Sequence, residues 1–108
     1  MEHLNKIEIR GIIGSVYVKD YGNAKSANFS VATDYCYTSH DGSAVIETTW
    51  HYIIAWESEN VKDLERLTPG ATIHVIGRLR VRQRGKVTGE AVTVHDIIAH
   101  EVEIIEEN

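Results

Sequence analysis

With 108 residues, 43% hydrophobic and 25% charged, the chain has the makeup of one globular domain with a modest core. A net charge of −5 excludes a general basic coat, and a single cysteine, Cys36, excludes an intramolecular disulfide framework. There is no apolar run of roughly 18 residues and no apolar core to a secretory signal in MEHLNKIEIR, so neither a membrane span nor export is expected and a cytoplasmic setting is.

Residues 5–18, NKIEIRGIIGSVYV, alternate Ile7, Ile9 and then Ile12 with polar residues and read as a strand. Gly11 and Gly14 interrupt it, as at a bulge or a barrel corner. Residues 19–26, KDYGNAKS, form a turn-rich connection. Residues 27–37, ANFSVATDYCY, alternate again, with Phe29, Val31 and Thr33 on one face. Tyr35 and Tyr37 share that parity, so a bulge or bend must reorient Tyr37 if it is to meet a ligand on the other side. A loop with an Asp-Gly turn signal spans 38–43, TSHDGS.

The central strand is 47–56, ETTWHYIIAW. Alternation puts Trp50, Tyr52, Ile54 and Trp56 on one face and His51, Ile53 and Ala55 on the other. The two tryptophans stand roughly 20 Å apart at about 3.3 Å per residue. Residues 57–67, ESENVKDLERL, read as the one helix: Asn60 is a candidate N-cap, Asp63 sits in the first turn, and Val61, Leu64 and Leu67 recur every three residues. Thr68, Pro69 and Gly70 end it.

In the fourth strand, within 71–86, ATIHVIGRLRVRQRGK, Arg78, Arg80, Arg82 and Arg84 share one face, with Leu79 and Val81 expected in the core. No acidic residue occurs from Arg66 through Gly89. Four like charges on one face are costly without an anion, and guanidinium also stacks on flat rings. Spaced aromatics on one strand and spaced arginines on another suit single-stranded nucleic acid, which offers base faces and a phosphate backbone. The acids cluster elsewhere, at Glu57, Glu59, Asp63 and Glu65 and again at Glu101, Glu103, Glu106 and Glu107, so a positive groove is compatible with an acidic protein. Residues 87–94 and 97–105 form the last extended stretch, irregular around His95 and Asp96.

Three strands, one short helix and two strands in a single domain of this size is the element order of the OB-fold, an all-β five-stranded Greek-key barrel that binds oligonucleotides across strands two and three. The chain from about residue 5 to 105 resembles the bacterial single-stranded DNA-binding proteins of replication. The resemblance rests on NKIEIRGIIG at 5–14, ANFSVAT at 27–33, TTWHYIIAW at 48–56 and GATIHVIGRLRVR at 70–82. It implies base stacking on Trp50, Trp56 and Tyr37, and phosphate contacts along Arg80, Arg82 and Arg84. It also implies a homotetramer, favoured over a dimer, with His51 and the first strand (Ile7, Ile9) at the subunit interface. From the residues alone we add Tyr52 as a further stacking position, although it equally serves as cover for the barrel, and Arg78, Lys86, Lys25 and Lys19 as further cations for phosphate. Replication, recombination and repair are the implied settings. With more arginine and fewer aromatics than the family usually carries, a steeper salt dependence is expected.

Three departures stand out. Arg84 occupies a place where the family usually has an aromatic, the hairpin at 85–90 is short, and the family's flexible tail with its acidic tip is missing after Glu106-Glu107-Asn108. The resemblance therefore does not carry over tail-mediated recruitment of repair enzymes. No pair among the six histidines has a zinc spacing, and no P-loop, Rossmann or Ser-His-Asp signature occurs, so neither metal, cofactor nor catalysis is expected. The rival readings are a dimeric OB module similar to primosomal replication protein N, and an OB barrel that binds protein instead of DNA.

Overall fold

The first strand changes neighbours halfway along, and that exchange closes the barrel. In the computed structural model, which describes residues 2–85 and 87–105, β1 (Ile7–Asp20) pairs with β4 (Thr72–Gly85) through Ile7–Ile12, then with β2 (Lys25–Thr38) from Ile12 to Asp20. Gly11 sits where the chain turns from one partner to the other. A Cβ there would overlap the Ala32 carbonyl, so this corner accepts no side chain. With β3 (Ala44–Trp56) and β5 (Ala91–Ile105) the order is β1-β2-β3-β5-β4, a closed barrel. All contacts between neighbours are antiparallel except β3 with β5, which run parallel through Ile53↔Ile97 and Ile54↔Ile98. This is the five-stranded OB arrangement expected from the element order.

The core follows the alternation. Ile9, Ile13, Phe29, Val31, Ile53, Ile73, Val75 and Ile97 are buried, each at a position facing the barrel interior. The strands are 13 to 15 residues long, beyond the usual length of a barrel wall. Their outer ends therefore leave the core as two hairpins, β2–β3 and β4–β5. This corrects one expectation. Leu79 and Val81 are not core residues but 41% and 53% exposed, because they lie past the point where β4 leaves the barrel.

The expected helix at 57–67 is also corrected. The segment holds one 3-10 turn, Leu64–Arg66. Asn60 caps nothing there. Instead Ser58 and Val61 exchange backbone hydrogen bonds, and the Asn60 carbonyl accepts from the Val102 amide at 3.4 Å. Asp63 lies in the left-handed region at φ 56, which no α-helix contains. The apolar spacing nevertheless does its work, since Val61, Leu64 and Leu67 all plug the barrel. Among the described residues no helix is long and apolar enough to cross a membrane.

Candidate nucleic-acid interface

The outer face of β1, β2 and β3 is built in rows across the ladder. Ile12, Ala32 and Trp50 form one row; Tyr17, Asn28 and Ile54 another; Lys19, Ser26 and Trp56 a third. Ser30 pairs with Tyr52 between the first two. On β2 the outward side chains are small, and on β3 they are mostly rings, so the face is a shallow trough walled on one side by aromatics. Trp50 and Trp56 are 51% and 47% exposed and Tyr52 is 62% exposed, so none of the three is a core residue.

A bulge in β1 makes this face. Two residues, Gly14 and Ser15, stand opposite Ser30 where the register shifts between Ile13 and Val16. The Ser15 amide donates to Ser30 Oγ at 3.0 Å, and the two hydroxyls lie 3.0 Å apart. The extra residue reverses the parity of β1. Ile13 faces in, Val16 also packs on the core, and Tyr17 is thrown outward beside Asn28. Gly14 is equally specific, because a Cβ there would run into the six-membered ring of Trp50. The Trp50 indole lies on the bare backbone at this point.

Trp56 is supported differently. Tyr21 stacks on it with ring centroids 5.6 Å apart and planes at 27°, and the Lys19 ammonium stands 4.9 Å from the Tyr21 centroid. One face of Trp56 is thus already occupied. Tyr17 and Tyr21 belong to the site although sequence reasoning passed over both. The signal near Tyr17 was the Gly14 interruption, which marks a bulge but leaves the parity after it to the partner strand. Tyr21 gave none, since it lies in the turn after β1.

The arginine strand meets the aromatic strand in one groove. An open groove of about 440 Å3 is lined by Tyr17, Asn28, Tyr52 and Ile54 from the barrel and by Arg82 and Asp96 from the β4–β5 hairpin. A second hollow, of about 430 Å3, opens where β3 and β5 diverge, between Trp50 and Tyr52 on one side and Leu79 and His95 on the other. Tyr52 borders both. The exposed Leu79 adds apolar surface beside Trp50.

The arginines are not four free charges. Asp96, buried with its side chain 6% exposed, accepts hydrogen bonds at 2.8 Å on one oxygen from Arg80 Nη2 and Arg82 Nε. Burial pushes the Asp96 carboxyl up, but hydrogen bonds from Arg82 and Arg80, together with their charges, outweigh that and hold it below the ordinary value. The linear sequence shows no acid near the arginines, and the ladder brings this one directly opposite Arg80. Among the described residues, Arg78 and Arg84 have no acidic partner. Lys25 lies 3.9 Å from Glu65 and is only loosely engaged. Lys86 lies outside the described residues.

Two further expectations meet the geometry. The β2–β3 ladder runs unbroken from Ser26↔Trp56 to Thr38↔Ala44, so no bulge turns Tyr37 over. Tyr37 and Tyr35, their rings 6.1 Å apart, stay on the His51 side of the hairpin, opposite Trp50. Of the residues expected at a subunit interface, Ile9 is buried in the core and Ile7 packs against it, so neither is a free surface side chain. His51 is half-buried, with Nε2 2.8 Å from Thr33 Oγ1, and burial lowers its pKa. Among the described residues no group of His, Cys, Asp and Glu is arranged to hold a metal.

Known proteins resemble the chain along most of its length. A family model, that of the Single-strand binding protein family, matches residues 4–105. Single-stranded DNA-binding proteins of Neisseria meningitidis, from a serogroup A and a serogroup B strain, are each 29% identical over 104 residues, which is 94% of this chain and 60% of theirs. The chain thus spans about three-fifths of the length of these relatives. Among solved structures, the Plasmodium falciparum SSB complex with ssDNA superposes with a TM-score of 0.83 at 25% identity, covering 97% of this chain and 96% of that one. A deletion mutant of the Thermus aquaticus single-stranded DNA binding protein shares the fold, with a TM-score of 0.75 at 19% identity over 95% of this chain and 51% of that one.

Proposed function

Because the chain belongs to the Single-strand binding protein family, we propose that it binds single-stranded DNA without sequence preference along the outer face of β1, β2 and β3. The observation that carries this reading is the groove that brings the exposed rings of Tyr17 and Tyr52 together with the Arg82 guanidinium. Bases stack on Trp50, Tyr52, Tyr17 and the free face of Trp56. Phosphates meet Arg78, Arg80, Arg82 and Arg84, with Lys19 and Lys25 at the far end. Every base has a flat face, so stacking discriminates little among sequences, whereas duplex DNA hides those faces. The role is binding, in replication, recombination or repair in the cytoplasm, and no turnover is assigned.

The same reading includes self-association. Between Ile7 and Gly11, β1 pairs with β4 on one side, while its pairing with β2 begins at Ile12. This leaves a short strand edge with no partner among the described strands. A second copy pairing there forms a dimer, and two dimers a tetramer. Sedimentation of the free protein distinguishes these from a monomer.

The test is a titration of intrinsic tryptophan fluorescence with a thymidine oligomer of a few tens of nucleotides, against a duplex of the same length. Strong quenching by the single strand, weakened by salt and absent with the duplex, supports the reading. No quenching and no binding at low salt overturns it, and the barrel is then a protein-interaction module.

A further inference from the structure

Asp96 is the one acidic residue among the four β5 side chains, Val92, Val94, Asp96 and Ile98, that stand opposite the arginine row. It is buried, and it takes a hydrogen bond from each of Arg80 and Arg82 at 2.8 Å. Both bonds fall on the same carboxylate oxygen. The three side chains together carry a charge of +1 where two arginines alone would carry +2. The carboxylate also borders the groove that holds Tyr52 and Tyr17, so any anion entering that groove approaches it.

We propose that Asp96 is a built-in counter-anion that occupies part of the phosphate site and lowers by about one the number of phosphates the arginine row neutralises. This rests on the single-strand-binding reading above and adds a regulator of its affinity. In the free protein Asp96 stands in for a phosphate: it holds the Arg82 guanidinium at the groove with that of Arg80 beside it, and offsets their mutual repulsion. When DNA arrives, the outward N–H groups of Arg80 and Arg82 share one phosphate charge between them, and Arg78 and Arg84 take full ones. The binding is weaker and less salt-sensitive than four arginines in a row imply.

Salt dependence reads this directly, since the log–log slope for single strands is about −0.7 per phosphate neutralised. The full chain is titrated with a thymidine oligomer of a few tens of nucleotides over a fourfold range of KCl. Asp96→Asn keeps the shape and one acceptor oxygen but removes the charge. The expected result is tighter binding at low salt and a slope steeper by about 0.7, an extra ~2.6-fold loss of affinity over that range. An unchanged or shallower slope, with the wild type still binding, overturns the inference and leaves the function standing. A wild type that binds no single strand overturns both. Should Asp96→Asn fail to fold, the triple variant R80Q/R82Q/D96N, which leaves no charge unpaired, decides the matter. Its slope falls by about 0.7 if Asp96 already cancels one arginine, and by about 1.4 if it does not.

Discussion

Trp50 and Tyr35 are both large, aromatic and exposed, yet the ladder puts them on opposite faces of the β2–β3 hairpin. Replacing Trp50 with alanine is expected to cost binding roughly 1–3 kcal/mol, the worth of one base stack. Tyr17→Ala, on the same face, is expected to fall in that range. Tyr35→Ala and Tyr37→Ala are expected to cost less than half as much, measured by the same titration. If Tyr35→Ala costs as much as Trp50→Ala, the DNA path is on the wrong face. His51 gives a separate prediction. Burial holds its folded pKa below the ordinary value of 6.5, so the neutral ring is the form the fold accommodates. The sign follows from linkage: this contribution is fully present above about pH 6.5 and is lost as pH falls through the lowered folded value. Urea midpoints measured from pH 7.5 down to 5 should fall for the wild type and fall less for His51→Asn.

Among the elements, the two most informative departures from regularity are the β1 bulge and the β3–β4 connection. Gly14→Val puts a branched side chain where the Trp50 ring lies. It is expected to lift the indole off the strand, shift its emission to longer wavelength and weaken DNA binding, while Gly85→Val, where a Cβ meets open space, leaves both unchanged. The connection at 57–71 has little regular structure, but it is not loose, because Leu64 is fully buried. Leu64→Ala is expected to destabilise the fold by about 2–5 kcal/mol, as for other large-to-small changes in a core. Chemical denaturation of the free protein tests this, and a loss under about 1 kcal/mol would mean that the plug is dispensable. Both elements were partly legible. The interruption at Gly14 announced a bulge, and the three-residue apolar spacing announced a buried face. Neither the parity reversal that exposes Tyr17 nor the 3-10 geometry at Leu64 could be read without the partners, since a bulge is defined by the strand it faces and a short helix by what it plugs.

Over the whole molecule, the acids of residues 57–65 and of 101–103 stand apart from the arginine row in the chain, whereas Asp96 meets that row across the ladder. Acid titration offers a global check. Burial raises the Asp96 carboxyl, but hydrogen bonds from Arg82 and Arg80, together with their charges, hold it below the ordinary value. The stability it contributes is present above the ordinary carboxylate pKa and is lost as pH falls through that lowered value. Below it, Arg80 and Arg82 stand unneutralised. Much followed from the sequence alone: strand alternation set which side chains share a face on each strand, and spacing placed the barrel, the Trp50–Trp56 face and the arginine row. These are properties of neighbours along the chain, governed by a two-residue repeat. Tertiary structure alone decided where each strand leaves the core, which exposes Leu79 and Val81, and which groups meet across the ladder, which ties Asp96 to two arginines and Tyr21 to Trp56. Those depend on strand length against barrel height and on pairing between segments distant in sequence, and no local pattern encodes either.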